Sequence, residues 1–225
     1  MTVGPGPASG ARSWFAVDGT LEPIDYPGPS YFRFPEALAE HVIARYSRPG
    51  DWVLDPFCGF GTTLVAAARL VRQLLGFETD ADRAAFAAAR LGRPDRVVHA
   101  RAEDAPVAGW PACALPLTSP PYGGFGTGEH DDDPGIYLAD ARRLFAGLTR
   151  FLTPHAPIAV EVSQVRQPSG TRPLVWLLGA ALSELFALRE DLVRVNTAPV
   201  PAGPGYDHSH ILVFTVERPC ADQGR

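Results

Sequence analysis

Residues 53–63 read VLDPFCGFGTT, and this stretch decides the fold. It begins as a short apolar run that ends at Asp55, and an Ala-rich segment follows Thr62. Gly59 and Gly61 lie between the two. A strand, a glycine turn and a helix in this order bring backbone N–H groups against a ligand at the helix N-terminus. The stretch therefore predicts a ligand-binding turn in an α/β domain.

The turn differs from two common nucleotide-binding motifs. A dinucleotide fingerprint has a third glycine, but Val65 occupies that position here. A P-loop needs a lysine, and all 20 basic residues of this chain are arginine. What makes the turn specific is the rigid Asp55-Pro56-Phe57 segment that precedes the glycines.

Strands and helices are predicted to alternate on both sides of this turn. Apolar runs predict seven strands near residues 52–54, 74–77, 96–99, 115–118, 157–162, 191–195 and 211–216. Helical spacing predicts helices near residues 35–46, 62–72, 81–91, 137–151 and 174–188. The alternation predicts a mostly parallel sheet with helices on both faces. A Pro/Gly loop joins the last two strands, which predicts an antiparallel hairpin at one end of the sheet.

The chain has 225 residues, a length that suits one domain. Residues 1–29 are rich in Gly, Pro and Ser and are expected to form an irregular arm. We expect a single domain over residues 30–218 and a disordered tail over 219–225.

Two acids follow the next strands of the predicted sheet. Glu78 ends the second strand, where it can accept hydrogen bonds from the hydroxyls of a ribose. Asp104 follows the third strand and can accept from an adenine amine, although its neighbour Glu103 leaves that choice open.

The fourth strand leads into Ser119-Pro120-Pro121-Tyr122. Two prolines stiffen this turn and remove two N–H donors. The Ser119 hydroxyl and the Pro120 carbonyl can accept from an amine, while Tyr122 stacks on a flat ring. The turn therefore predicts a site for a planar group that carries an amine.

Taken together, the turns at Asp55-Pro56-Phe57-x-Gly59-x-Gly61-Thr62 and Ser119-Pro120-Pro121-Tyr122 resemble those of the S-adenosylmethionine-dependent DNA amino-methyltransferases. The resemblance implies a Rossmann-like methyltransferase fold and methylation of cytosine N4 or adenine N6. It implies that the methionine end of S-adenosylmethionine lies among Asp55, Pro56, Phe57, Gly59, Gly61 and Thr62. It also implies that Phe34 and Pro35 contact this cofactor, that Glu78 binds its ribose and that Asp104 binds its adenine. The serine form of the second turn is more typical of the cytosine-N4 enzymes.

Other substrates and an inactive role stay open. The net charge of −5, and the acids Glu129, Asp131, Asp132 and Asp133, disfavour contact with phosphates. No segment is large enough for a separate target-recognition domain, so a specificity subunit or a homodimer is an alternative source of recognition. An RNA base and a protein glutamine amide are the alternative targets. A cofactor-binding partner subunit without turnover is the remaining possibility.

Cysteine usage and apolar runs bear on the compartment. Three cysteines at no metal-ligand spacing predict neither a disulfide framework nor a metal site. No apolar run reaches the length of a membrane span, and the N-terminus lacks a signal-peptide pattern. We expect a cytoplasmic protein without a membrane partner.

Overall fold

The computed structural model describes residues 12–30, 33–105, 109–121, 133–167, 170–197 and 207–216. Tyr122 and the acids at 129, 131 and 132 lie outside these ranges. Within them, no helix combines the length and the apolar character needed to cross a membrane.

Ten strands and five α-helices form in the described ranges. The strands are β1 (Trp14–Val17), β2 (Trp52–Asp55), β3 (Gln73–Glu78), β4 (Val97–His99), β5 (Leu115–Thr118), β6 (Pro157–Val162), β7 (Val165–Gln167), β8 (Gly170–Arg172), β9 (Ala187–Asn196) and β10 (His208–Thr215). The helices are α1 (Glu36–Tyr46), α2 (Thr62–Arg69), α3 (Ala81–Leu91), α4 (Pro134–Leu148) and α5 (Leu174–Ser183). Short 3₁₀ turns cover Ala102–Asp104 and Thr149–Phe151.

The main sheet has the order β1-β9-β10-β6-β5-β2-β3-β4. All its strands are parallel except β10, which pairs antiparallel with both β6 and β9. The predicted mostly parallel sheet with an antiparallel hairpin is confirmed. The parallel strands all end at one edge of the sheet, which is where ligands bind in open α/β folds.

The sheet has eight strands rather than the seven predicted. The additional strand is β1, whose residues 14–17 lie inside the predicted irregular arm and pair with β9 from Trp14 opposite Val193. The Gly- and Pro-rich surroundings of this short apolar run concealed it. A separate hairpin of β7 and β8 was also not predicted.

The helix predicted to reach residue 188 ends at Ser183. Ala187 and Leu188 instead begin β9, opposite Thr215 and Phe214 of β10. Pairing with a neighbouring strand outweighs the helical preference of this Leu- and Ala-rich segment.

Pro116 lies inside β5, at the last position of the strand that pairs with β2. Leu115 and Pro116 are the residues of β5 that pair with β2. The ladder to β6 then begins at Leu117. The strand predicted at 115–118 is therefore correct although it contains a proline.

Two apolar layers hold the sheet between the helices. Buried side chains of α1 and α2 pack on one face, as Leu38 and Leu64 show, and those of α4 and α5 pack on the other, as Phe145 and Leu178 show. Burial on both faces leaves the carboxyl edge of the sheet as the place where polar side chains converge.

The N-terminal segment links two distant parts of this edge. β1 lies at one side of the sheet and leaves it at Val17. Tyr26 then packs edge-on against Phe60 of the glycine turn and Phe86 of α3, with ring centroids 4.9 and 5.3 Å away. The segment between Val17 and Tyr26 therefore joins the β9 side of the sheet to the glycine turn after β2.

Candidate active site

The turn between β2 and α2 depends on two glycines in the left-handed region. Gly59 has φ of 51° and Gly61 has φ of 80°. Gly61 is also the N-cap of α2, and no side chain caps this helix end. The first N–H groups of α2 therefore have no capping side chain and can donate to a ligand in the turn.

Replacement of Gly61 by alanine is expected to destabilise the domain by about 1–3 kcal/mol. A Cβ atom at this position would lie 3.3 Å from Ala87 Cβ on α3, in addition to the cost of its positive φ. Denaturant unfolding measures the loss. Gly50→Ala is the matched control, because Gly50 has φ of 89° but a Cβ there would meet nothing within 4 Å. An equal loss in both variants would show that the contact with α3 is unimportant.

Asp55 is a buried carboxylate at the end of β2. It is 3% exposed, and its Oδ1 accepts from Thr118 Oγ1 at 2.7 Å and from the Phe57 N–H at 3.1 Å. Burial raises the pKa of Asp55 to about 6, with a smaller contribution from Glu78, while its hydrogen bonds oppose the shift. Burial removes the negative charge of the Asp55 carboxylate from water. A cationic group on a ligand would compensate that charge.

Glu78 lies beside the glycine turn at the end of β3. Its Oε2 accepts from the Gly59 N–H at 2.9 Å, and its Oε1 accepts from the Asp80 N–H at 2.8 Å. Arg83 lies 3.4 Å from the same carboxylate. A carboxylate has about four acceptor positions, so each oxygen retains capacity for a ligand hydroxyl.

The other residues predicted to bind the cofactor lie in or near this turn. Pro35 is the N-cap of α1, and Phe34 packs in the core beside that helix. Pro56 is buried and Phe57 is partly exposed. Thr62 is 4% exposed, and its Oγ1 has no hydrogen-bond partner among the described residues.

Asp104 and Glu103 differ in their surroundings on the 3₁₀ turn after β4. Glu103 accepts from Arg101 Nε at 2.8 Å, and its Cβ lies against Gly147 of α4. Asp104 is exposed to solvent. Of the two acids that the sequence left open, Asp104 is thus the one available to a ligand.

Ser119 follows β5 and is hydrogen-bonded to an acid that we did not predict. Its hydroxyl donates to Glu161 Oε2 at 2.7 Å, and Glu161 is 5% exposed near the end of β6. Pro120 is buried and Pro121 is exposed, while Tyr122 lies outside the described residues. The neighbouring Thr118 donates to Asp55, so the second turn and the glycine turn share a network.

Glu161 had a recognisable signal in the sequence. It is an acid near the end of an apolar strand, Ile158-Ala159-Val160-Glu161-Val162, as Asp55 and Glu78 are at the ends of theirs. Tyr26 had no such signal, because its contact with Phe60 depends on the path of an irregular segment.

Comparison with known proteins agrees with this geometry. Residues 30–89, which contain α1, the glycine turn and Glu78, match the protein family described as DNA methylase. Within this segment, 60 of the 225 residues, the chain is similar to the DNA methylase family. The glycine turn and Glu78 both lie inside the matched segment.

Two curated relatives share short segments with this chain. The Type II methyltransferase M.MthZI of Methanothermobacter thermautotrophicus is 53% identical over 47 residues, which are 21% of this chain and 13% of the relative. The Type II methyltransferase M.SmaI of Serratia marcescens is 43% identical over 68 residues, 30% of this chain and 23% of the relative. The matched segments thus span less than a quarter of either relative.

Solved structures support the fold over a larger part of the chain. TrmN from Thermus thermophilus superposes with a TM-score of 0.58 at 24% identity, covering 81% of this chain and 49% of that one. A TehB-like SAM-dependent methyltransferase from Corynebacterium glutamicum superposes with a TM-score of 0.54 at 16% identity, covering 80% and 87% of the two chains. The predicted Rossmann-like methyltransferase fold is confirmed.

Proposed function

We propose that the domain transfers a methyl group from S-adenosylmethionine to the exocyclic amine of a DNA base, with cytosine N4 as the first candidate and adenine N6 as the second. The family match over residues 30–89 supports the cofactor and the class of reaction. The contact of Ser119 with Glu161 supports an amine as the target.

The residues around the glycine turn fit S-adenosylmethionine group by group. Its ammonium is a cation that suits the buried carboxylate of Asp55. Its carboxylate suits the uncapped N-terminus of α2 and the unpartnered Thr62 hydroxyl. Glu78 has acceptor capacity for the ribose hydroxyls, and the exposed Asp104 has it for the adenine amine.

The orientation of the Ser119 hydroxyl is the observation that favours an amine as the methylated group. A hydroxyl has one proton to donate, and here that proton goes to the Glu161 carboxylate. The Ser119 oxygen therefore presents only lone pairs to a ligand. An acceptor next to the Pro120 carbonyl suits an N–H donor such as a base amine, and it disfavours a ring nitrogen or a carbonyl.

The same contact provides a route for the proton that the reaction releases. When bound, S-adenosylmethionine would supply a methyl group on a cationic sulfur, which would leave as a neutral thioether. The amine nitrogen that receives the methyl group would take over the positive charge and would then lose one of its own protons. Ser119 Oγ can accept this proton while its own passes to Glu161. Glu161, 2.7 Å from Ser119 Oγ, is thus a nearby acceptor for the released proton.

A base in a duplex must leave its stack to reach Ser119. Aromatic residues of the second turn, Tyr122 above all, replace its stacking once it has flipped. A partner subunit or a second copy of the chain contributes to sequence recognition, because the acidic run of Glu129 and Asp131 to Asp133 disfavours contact of this chain with phosphates. The free buried cysteines Cys58 and Cys113 support a reducing, cytoplasmic location.

Transfer of labelled methyl from S-adenosylmethionine tests the proposal. Unmethylated DNA, bulk RNA and a protein extract are offered in parallel, with Ser119→Ala as the inactive control. We expect label in DNA only, recovered after digestion as N4-methylcytosine. Recovery as N6-methyladenine would change the base, and label confined to RNA or protein would overturn DNA as the substrate. Cofactor binding without transfer to any of the three would favour an inactive partner subunit.

A further inference from the structure

Arg90 of α3 reaches the backbone of the glycine turn. Its Nη1 donates to the Phe60 carbonyl at 3.0 Å, and its Nη2 pairs with Glu36. Phe60 lies between the two glycines of the turn, and Glu36 is 2% exposed at the start of α1. One guanidinium therefore connects α1, α3 and the turn, and it satisfies a carbonyl that the turn itself leaves unpaired.

Arg150 bonds in the same way to the backbone of a second turn of the proposed cofactor site, the 3₁₀ turn Ala102–Asp104. It lies in the 3₁₀ turn after α4, and its Nη2 lies 2.9, 2.6 and 2.9 Å from the carbonyl oxygens of Ala102, Glu103 and Ala105. These carbonyls belong to the backbone that presents Asp104. The guanidinium carbon also lies 5.0 Å from the centre of the Phe151 ring, which fixes its plane.

We propose that Arg90 and Arg150 are positioning residues for the two ends of the cofactor site, an inference that rests on the proposed function. Arg90 positions the turn that holds the methionine end, and Arg150 positions the turn that holds the adenine. Both act through backbone carbonyls. Lysine cannot replace either residue. It lacks the second nitrogen through which Arg90 reaches both Phe60 and Glu36, and its ammonium ends one bond short of the position of Arg150 Nη2.

Binding of two different ligands allows the effects at the two ends of the cofactor site to be measured separately. S-adenosylhomocysteine carries both an amino-acid end and an adenosine, whereas methylthioadenosine carries only the adenosine. Arg90→Ala is expected to weaken S-adenosylhomocysteine by roughly 10-fold and methylthioadenosine by less than about 3-fold. Arg150→Ala is expected to weaken both ligands by roughly 10-fold, because both carry the adenine.

Calorimetry on the full chain makes the comparison, with two matched control variants. Arg69 also pairs with Glu36 but has Glu40 as its second partner and does not reach the turn. Arg143 lies on α4 and pairs with Asp140 at the surface. Arg69→Ala and Arg143→Ala should bind both ligands as the wild type does. Arg90→Lys and Arg150→Lys retain the charge without the fork and should behave as the alanine variants do; they also serve if an alanine variant fails to fold.

Native-state amide exchange provides a second readout that needs no ligand. Arg90→Ala should speed exchange at residues 57–61, and Arg150→Ala at residues 102–105, with little change elsewhere. Equal weakening of both ligands by Arg90→Ala, or affinities and exchange that match those of the control variants, would overturn the inference. If the wild type binds neither ligand while the local exchange responds as expected, the positioning role stands and the cofactor assignment fails.

Discussion

Glu161→Gln should lower the turnover of methyl transfer by roughly 100-fold or more without weakening cofactor binding. Glutamine preserves the size of the side chain and can still accept from Ser119, but it cannot take up a proton near neutral pH. The expected loss therefore reports on proton removal rather than on packing. Single-turnover rates with the labelled cofactor measure it, and calorimetry with S-adenosylhomocysteine measures the binding.

A carboxylate on another strand of the same sheet is the matched control for this substitution. Glu190 of β9 pairs with Arg45 at the surface, so Glu190→Gln should leave turnover unchanged. If Ser119 and Glu161 act as a unit, Ser119→Ala combined with Glu161→Gln should cost little more than Ser119→Ala alone. A fully active Glu161→Gln variant would show that the proton leaves to water and that Glu161 only orients the serine.

The elements around the glycine turn were predictable because each has a strong local signal. The strands at 115–118 and 157–162 lie where the apolar runs placed them. β1 has only four residues, and it is stable as a strand because β9 is available to pair with it. The predicted end of α5 at residue 188 was wrong for the same reason, because Ala187 and Leu188 pair with β10. Pairing between distant strands is the information that local patterns lack.

Residues of the candidate site also divide into those with a local signal in the sequence and those without one. The positions of Asp55 and Glu78 were predictable, because an acid at the end of a buried strand stands out in the sequence and such ends meet at one edge. Their roles in binding stay predictions. Glu161 satisfies the same rule, but the sequence does not show that its partner is Ser119, 42 residues away. The roles of Arg90 and Arg150 were not predictable, since both bind backbone carbonyls and no side-chain pattern marks such contacts.

Three buried acids near the ends of β2, β3 and β6 make this edge of the sheet electronegative. Asp55, Glu78 and Glu161 are 3%, 7% and 5% exposed. Negative charge that is concentrated in a partly desolvated edge favours a cationic ligand such as S-adenosylmethionine. It also disfavours phosphate at the same place, so a flipped base must enter with its backbone held outside this edge.

The buried carboxylate of Asp55 lowers the stability of the ligand-free domain as the pH rises. Its pKa is about 6 in the folded domain, against an ordinary value of 3.8. Between these values the folded state holds a proton that the unfolded chain has released, so stability falls as pH rises from about 4 to about 6. Above pH 6 the ligand-free domain carries the full penalty of a buried carboxylate, on the order of 3 kcal/mol. A ligand cation offsets that penalty.

Asp55→Asn should therefore weaken binding of S-adenosylmethionine by roughly 100-fold or more while making the ligand-free domain more stable at pH 7.5. Asparagine can still accept from Thr118 and from the Phe57 N–H, but it has no charge to desolvate. In the wild type, affinity should fall by about tenfold per pH unit below pH 6, as Asp55 takes up its proton. The variant should lack this pH dependence.

Calorimetry between pH 5 and 8 and denaturant unfolding without ligand measure the two effects of Asp55→Asn. The exposed Asp95, which pairs with Arg96, provides the control variant Asp95→Asn, and neither quantity should change in it. Loss of both affinity and stability in Asp55→Asn would mean that the carboxylate holds the turn through its hydrogen bonds. A gain in stability with a loss of affinity would mean that its burial serves the cationic ligand, since the folded domain alone derives no benefit from the charge.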